Sequence, residues 1–466
     1  MGEVPSPSAA NLWEKVVTSE ETIFALATPP GRGGINVVRL SGPAAAMVLT
    51  AVAAAPLPLP RRATLRTLRD PTTREVLDHG LVLWFPAPAS FTGEDVAEVH
   101  THGGRAVVTA LLAVLARMPG LRPAEPGEFS RRACRNGKMD LTAAEGLADL
   151  VAAETAAQRR QALRQMDGAL ARLYEAWREQ LTRLLAYLEA AIDFPEDDLP
   201  PALMTAVHAG IAELAAAVRM HLDDNGRGER IRDGIHITLV GPPNAGKSSL
   251  LNRLAGREAA IVSATAGTTR DVIEVQMDLG GYPVVLADTA GLQKTVEAIE
   301  AEGVRRALAR AAAADLKLVV LDGETWPTVD AETTALIDDK AVVVVNKLDL
   351  LSARSNLTSA SLDGTGRSVV PVSALYGTGL PALEQRLHGE IEQRWSAGAA
   401  PALTRLRYRT ALQTCLSALE RAPAAALPEL AAEDLRLAAR ALGQITGRIG
   451  VEDVLDVVFR DFCIGK

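Results

Sequence analysis

Aromatic residues make up only 4% of this 466-residue chain, against 48% hydrophobic residues overall. Alanine supplies much of the difference, which leans the chain toward helix. Cysteine is almost absent. Cys134, Cys415 and Cys463 form no CxxC pair and no metal-ligand spacing, so no metal site is indicated and a reducing compartment is expected. Positive charge is in deficit: the net charge of -8 argues against a broad electrostatic footprint for nucleic acid, although a local basic patch or a basic partner stays open. No apolar run reaches the length of a membrane span, and Met1 to Ser19 lacks a basic stretch followed by an apolar one. The expectation is a cytoplasmic protein with neither a secretion signal nor a membrane span. At this length one core is too few, so several domains are expected.

What is present centres on Gly241-Pro-Pro-Asn-Ala-Gly-Lys-Ser248. It matches the phosphate-loop pattern at every fixed position. Ile235 to Val240 before it reads as a buried strand, and Ser248 to Leu254 after it as a helix. Strand, glycine loop and helix are what phosphate binding requires, because loop N–H groups and the helix N-terminus together cradle the oxygens. Asn244, Ala245, Gly246, Lys247, Ser248 and Ser249 are the expected phosphate contacts, with Lys247 reaching the β- and γ-phosphates and Ser248 ligating Mg²⁺.

Further along, Asp288-Thr289-Ala290-Gly291 ends an apolar strand, where an acid can hold the Mg²⁺ shell and a glycine N–H can sense the γ-phosphate. Asn346-Lys347-Leu348-Asp349 follows the pure strand run Ala341 to Val345. The Asp349 carboxylate would accept from guanine N1–H and the 2-amino group, a donor pair that adenine does not offer. Ser373-Ala374-Leu375 would close over the base. Together these motifs point to GTP. Gly267-Thr268-Thr269-Arg270-Asp271 lies where a mobile switch belongs, and Thr269 could join the Mg²⁺ shell in the triphosphate state. Leu292 stands where Ras-like proteins carry a water-orienting glutamine, so the water must be positioned from elsewhere.

Around this block the chain reads as follows. Glu21 to Gly42 suggests a β-hairpin or meander, Gly80 to Phe85 a strand, and Ala106 to Met118 a helix, giving an α+β domain ending near Gly137. His100 and His102 alternate onto one strand face, but no third ligand of matching spacing is visible, so a structural or substrate-contacting role is expected. Thr142-x-x-Glu145 carries a capping-box signature. Leu163 to Ile192 shows one long amphipathic helix, a second runs from Leu203 to Leu222, and Asn225 to Gly228 reads as a turn. Helical patterning resumes from Leu403 to Phe462. The domains expected are 1–137, 138–229, 230–393 and 394–466, the third being a nucleotide domain inserted into one helical bundle.

With these segments in place, the chain resembles the MnmE/TrmE family of tRNA modification GTPases along essentially its whole length. The resemblance is carried by Ala27 to Gly34, Phe91 to Asp95, Pro126 to Phe129, Asn136 to Leu141, Ala191 to Pro195, Gly267 to Asp271 and the ending Cys463-Ile464-Gly465-Lys466. It implies a homodimer with an N-terminal folate-binding-like α+β domain, a helical bundle and a Ras-like G domain. A tetrahydrofolate derivative (5,10-methylene or 5-formyl) would be held at positions matching Arg39, Glu98, Lys138 and Lys466. Taken alone, each of these is more often an ordinary surface charge. The family's activation by K⁺ implies a site using Asn244, carbonyls of Ser263 and Thr265, and Thr268; a cation there supplies positive charge on the phosphates. Glu300 matches the glutamate that orients water, although Glu297, Glu300 and Glu302 also fit a solvated helix face. Cys463, beside Lys466, is a candidate catalytic thiol, whereas Cys134 and Cys415 are expected in cores.

The resemblance further implies a GidA/MnmG-type partner that carries FAD. Together the two proteins would install an aminomethyl or carboxymethylaminomethyl group at C5 of the wobble uridine, position 34, of certain tRNAs. Arg131, Arg132, Arg135 and Lys138 form a candidate basic cluster for the tRNA. Two rival readings are a switch GTPase in ribosome assembly without modification chemistry, and a P-loop ATPase. The Cys463 to Lys466 ending speaks against the first, and Asp349 against the second.

Overall fold

The computed structural model describes residues 21–193, 202–256, 274–288, 312–351, 368–396, 398, 401–448 and 465. The chain divides into two compact units, one made of residues up to Ala148 together with those from Gly443 onward, the other of Asp149–Leu442.

The first unit is built on a six-stranded sheet of order β3-β4-β5-β2-β1-β6. Its strands are β1 (Thr22–Leu26), β2 (Ile35–Ser41), β3 (Thr64–Arg69), β4 (Val76–Phe85), β5 (Val96–His102) and β6 (Leu121–Pro123). All pairs are antiparallel except β1 with β6. Alternation sends Val38, Leu40, Val82, Trp84 and Val99 to one face, where helices α1 (Ala45–Ala53) and α2 (Arg105–Arg117) bury them with Val48, Leu49, Leu111 and Leu115. A smaller cluster of Ile23, Ala25, Ala124 and Phe129 brings in α3 (Glu128–Arg135). α4 (Leu141–Ala152) starts one residue before the expected capping box. Its cap is Asp140, whose carboxylate accepts the amides of Thr142 at 2.8 Å and Ala143 at 3.2 Å. Gly447 packs against Leu141, and Gly465 lies on the backbone of Leu26 and Ala27, so segments far apart in sequence close this unit.

In the second unit, the single long helix expected from Leu163 to Ile192 is two: α5 (Ala156–Met166) and α6 (Ala169–Asp193). Gly168, at φ 77°, makes the break, a conformation that costs glycine little. A working capping box stands instead at Thr155 and Gln158, at the head of α5. Leu170, Tyr174, Trp177, Leu181, Leu184 and Leu188 form the buried stripe of α6. It packs against α7 (Ala202–Leu222), which also packs against the helix Leu406–Arg421. One stretch, Leu203–Asp233, is long and apolar enough to cross a membrane by length and composition, which the sequence reading did not anticipate. Its Val207, Ile211, Leu214 and Val218 are buried as a bundle helix buries one face. The turn expected at Asn225 to Gly228 is followed at once by a short helix, α8 (Arg227–Asp233).

The inserted block is a six-stranded sheet of order β12-β11-β10-β7-β9-β8. β7 (Ile235–Val240), β9 (Tyr282–Asp288), β10 (Leu316–Asp322), β11 (Ala341–Asn346) and β12 (Val369–Pro371) are parallel, and the edge strand β8 (Glu274–Leu279) runs against them. β11 is buried at all six positions, as strands covered on both faces are. Helix α9 (Lys247–Ala255) follows β7 directly.

Candidate functional site

The carboxyl ends of β7, β9 and β11 converge on the loop between β7 and α9, the crevice where parallel α/β sheets take ligands. Gly241 has φ 136°, Asn244 63° and Gly246 87°, so the loop alternates through left-handed conformations that turn its amides inward. A side chain at Gly246 would strike the Asn346 amide, and one at Gly241 the Val320 carbonyl. Lys247 is 6% exposed and folds back so that its ammonium donates to the carbonyls of Gly241 at 2.9 Å and Pro242 at 2.8 Å. Burial pulls its pKa down, and the Asp288 carboxylate opposes that shift. The ammonium expected to reach the β- and γ-phosphates thus stands at the mouth of the same loop. The Ser248 hydroxyl donates to the buried Asp288 carboxylate. A hydroxyl and a carboxylate side by side are hard oxygen donors, a set that suits Mg²⁺.

Asn346 is 2% exposed and joins two loops. Its Nδ2 donates to the Ala245 carbonyl at 2.9 Å, and its Oδ1 accepts the Ala374 amide at 3.0 Å. Asp349 accepts from the Ser373 hydroxyl at 2.5 Å, which fixes the carboxylate beside the loop of Ser373, Ala374 and Leu375. Leu375 is 69% exposed, so its side chain stands open to whatever lies above it. Lys347, at φ 61°, pairs with Asp322 at 2.7 Å, and that contact raises its pKa. The sequence reading missed Asp322; an acid ending the apolar run of β10 was the available signal. Ser249 stands in the first turn of α9. Ser263, Thr265, Thr268, Thr269, Thr289, Ala290, Gly291, Glu300, Cys463 and Lys466 lie outside the described residues.

In the first unit, Arg39 on β2 stands directly opposite Glu98 on β5 and reaches its Oε1 from Nε at 3.0 Å and from its terminal nitrogen at 2.9 Å. The guanidinium also lies over the rings of Phe91 and Phe129, at 5.5 and 5.9 Å. His100 meets the other Glu98 oxygen at 3.2 Å, and His102 meets Asp78 at 2.8 Å. Both histidines are thus engaged in hydrogen bonds to carboxylates, and among the described residues no cluster of three potential metal ligands forms. Lys138 donates to the Pro88 carbonyl at 3.1 Å, and its stem runs past Gly93.

Within the candidate basic cluster, Arg135 and Lys138 are exposed, whereas Arg132 is not available to a ligand. Arg132 is 5% exposed and is spent on Glu94 at 2.9 Å and Glu128 at 3.0 Å, with Arg122 on Glu128 at 2.6 Å. These buried carboxylates needed paired cations, and α3 supplies one. Cys134 and Cys415 have their pKa pushed up to about 12 by burial, which keeps them as thiols.

The chain matches the family model described as "GTP-binding protein TrmE N-terminus" over residues 22–138, and the "MnmE helical domain" model over residues 141–463. It is 59% identical to the tRNA modification GTPase MnmE of Rhodospirillum rubrum over 96% of this chain and 99% of that protein. The same protein of Paramagnetospirillum magneticum is also 59% identical, over 96% and 100%. The mitochondrial 5-taurinomethyluridine-[tRNA] synthase subunit GTPB3 of Danio rerio is 47% identical, over 96% and 93%. Among solved structures, a GTP-binding protein from Sulfolobus solfataricus in complex with GDP is 18% identical over 47% of this chain and 67% of that one, with a TM-score of 0.27.

Proposed function

The chain belongs to the MnmE family of tRNA modification GTPases, and on that premise we propose that it is a K⁺-activated GTPase acting on C5 of the wobble uridine of certain tRNAs. A GidA/MnmG-type protein carrying FAD would be its partner. A tetrahydrofolate one-carbon unit would supply the methylene carbon, and ammonium or glycine the nitrogen, of the aminomethyl or carboxymethylaminomethyl group. The observation that carries the GTP half is the pair of hydrogen bonds that Asn346 makes, donating to the Ala245 carbonyl and accepting from the Ala374 amide, which ties the phosphate loop to the loop beside Asp349. Loop amides and Lys247 would hold the phosphates, Ser248 with Asp288 would hold Mg²⁺, and Asp349 would read the guanine edge. Bound Mg²⁺ supplies charge neutralisation on the phosphate oxygens. Asn244, already in a left-handed conformation at the loop's crest, offers an oxygen for K⁺. The remaining proposed K⁺ ligands, Ser263, Thr265 and Thr268, together with Thr269, Glu300 and Cys463, complete the proposal from sequence.

For the folate half, support comes from Arg39, which pairs with Glu98 and lies over Phe91, and from Gly465 lying against Leu26 in the same unit. That placement would bring the terminal Lys466 to the first unit, where two copies would meet as a homodimer. The printed name of the Danio rerio relative, a 5-taurinomethyluridine synthase subunit, accords with chemistry at C5 of uridine. The deciding measurement is steady-state GTP hydrolysis by the full chain in K⁺ and in Na⁺ at equal ionic strength. Strong stimulation by K⁺ is expected. Equal slow rates in both salts would remove the K⁺ site and leave a switch GTPase awaiting a protein activator.

A further inference from the structure

The inserted block joins the helical bundle through two necks: α8 and the residues around it on the incoming side, and the stretch near Leu403 on the outgoing side. They cross so closely at Gly228 that any side chain there would strike the Leu403 carbonyl. Three glutamines of α5, at positions i, i+3 and i+7, grip this crossing. Gln158 donates to the Arg232 carbonyl at 3.0 Å, and Gln161 to the Gly228 carbonyl at 2.8 Å. Gln165, 3% exposed, accepts from the Thr404 hydroxyl at 2.9 Å and donates to the Tyr408 hydroxyl at 3.3 Å. Such spacing places all three on one helix face. The same helix also touches the nucleotide domain proper, because the Ala157 amide donates to the Gly281 carbonyl at 2.9 Å.

Gly281 is the tip of the hairpin joining β8 to β9, and Asp288, which accepts from Ser248, is the other end of β9. The strand therefore runs about 20 Å from the phosphate loop to α5. Its ladder to β7 holds it in register, since a slip would break the paired backbone hydrogen bonds and repack side chains buried on both faces of the sheet. The hairpin tip is asymmetrically bounded. On one side His388 of the helix Leu380–Trp395 stands directly behind Gly280 and blocks it. On the other side the tip rests on α5, where Gly281 lies against Ala156, and a pocket of about 80 Å³ opens beside that contact among Tyr282, Ile231 and the α5 residues Ala157, Gln161 and Gln165. A void leaves an interface able to take more than one packing.

We propose that α5 is the relay by which the nucleotide bound to the inserted domain repositions the helical bundle, with Gln158, Gln161 and Gln165 as its positioning residues. The inference rests on the guanine-nucleotide reading of the site. Tilt of β9, set at Asp288, arrives at Ala157 without slack and is passed to both necks through the glutamine face.

Amide hydrogen exchange on the full chain tests it, comparing GDP with a non-hydrolysable GTP analogue in the presence of Mg²⁺ and K⁺. Exchange over residues 155–166 is expected to differ several-fold between the two nucleotides. In Gln161→Ala that difference should fall below twofold, with nucleotide affinity and basal hydrolysis kept, and Gln161→Asn, which retains an amide, stands in should the first variant unfold. Equal exchange over 155–166 with both nucleotides bound would overturn the relay alone. A full response persisting in both variants would overturn the role of the glutamines. Failure to bind guanine nucleotide at all would overturn the site reading and the relay together.

Discussion

Asn346 donates to the Ala245 carbonyl at 2.9 Å across a gap of about a hundred residues, and both groups are buried. The hydrogen bond makes the phosphate loop and the end of β11 one rigid piece. Asn346→Leu would strand the Ala245 carbonyl and the Ala374 amide, each costing roughly 1–3 kcal/mol when left unpaired. Urea unfolding should show a loss of that order, and nucleotide binding should weaken with it. Unchanged unfolding would mean that water replaces the amide.

Gly246→Ala attacks the same joint from the other side. The added methyl meets the Asn346 amide, and φ 87° is strained for any residue with a side chain. We expect guanine nucleotide binding to be lost while the fold of the first unit, followed by its own thermal transition, is kept. Retained affinity, read by equilibrium titration with GDP, would contradict the loop geometry.

Asp349→Asn replaces an acceptor-only group with one that both donates and accepts. GTP affinity should fall steeply, toward roughly 10⁴-fold. Xanthosine triphosphate, whose base offers a carbonyl where guanine has an amine, should gain. Competition titration with the two nucleotides checks this, and an unchanged preference would place base recognition elsewhere.

His221 gives a pH signature in the bundle. It is packed edge-on against Tyr174 and Trp177, its Nε2 lies 3.1 Å from the Tyr174 hydroxyl, and burial lowers its pKa to about 4. The unfolded chain binds this proton more readily, so stability is complete above pH 6.5 and is lost as pH falls toward 4. The full effect is on the order of 3 kcal/mol. His221→Gln, which keeps a partner for Tyr174, should remove that slope between pH 7 and 4.5 in urea melts. Parallel slopes would show that other groups set it.

Much of the nucleotide domain was legible because its strands are pure apolar runs ending in polar motifs, as Ala341 to Asn346 is. Period and motif there point the same way. Legibility failed where one residue decides the geometry. Gly168 splits the helix that the leucine pattern joined, because periodicity continues across a break of this length. Asp140 takes the cap that Thr142 suggested, since both residue types cap and only the backbone selects between them. Arg132 counts as basic in a sequence but is neutralised by Glu94 and Glu128, which are distant or unremarkable in one dimension. Gln161, Gln165 and Asp322 carry no motif at all. Their partners are a backbone carbonyl and residues brought near by the fold.

The first unit is closed by Gly447 on Leu141 and by Gly465 on Leu26, with Asp149–Leu442 intervening. On a ribosome, the early sheet must therefore wait for roughly 300 further residues before its last pieces arrive. At ordinary synthesis rates that delay is about 15 to 60 s. Through that interval Leu26 and Ala27 lack the segment that covers them, so a nascent chain cut short carries an incomplete first unit behind a finished nucleotide domain. A truncated product of this kind could consume GTP without having assembled the rest of the molecule, which makes the late segment a natural point of quality control.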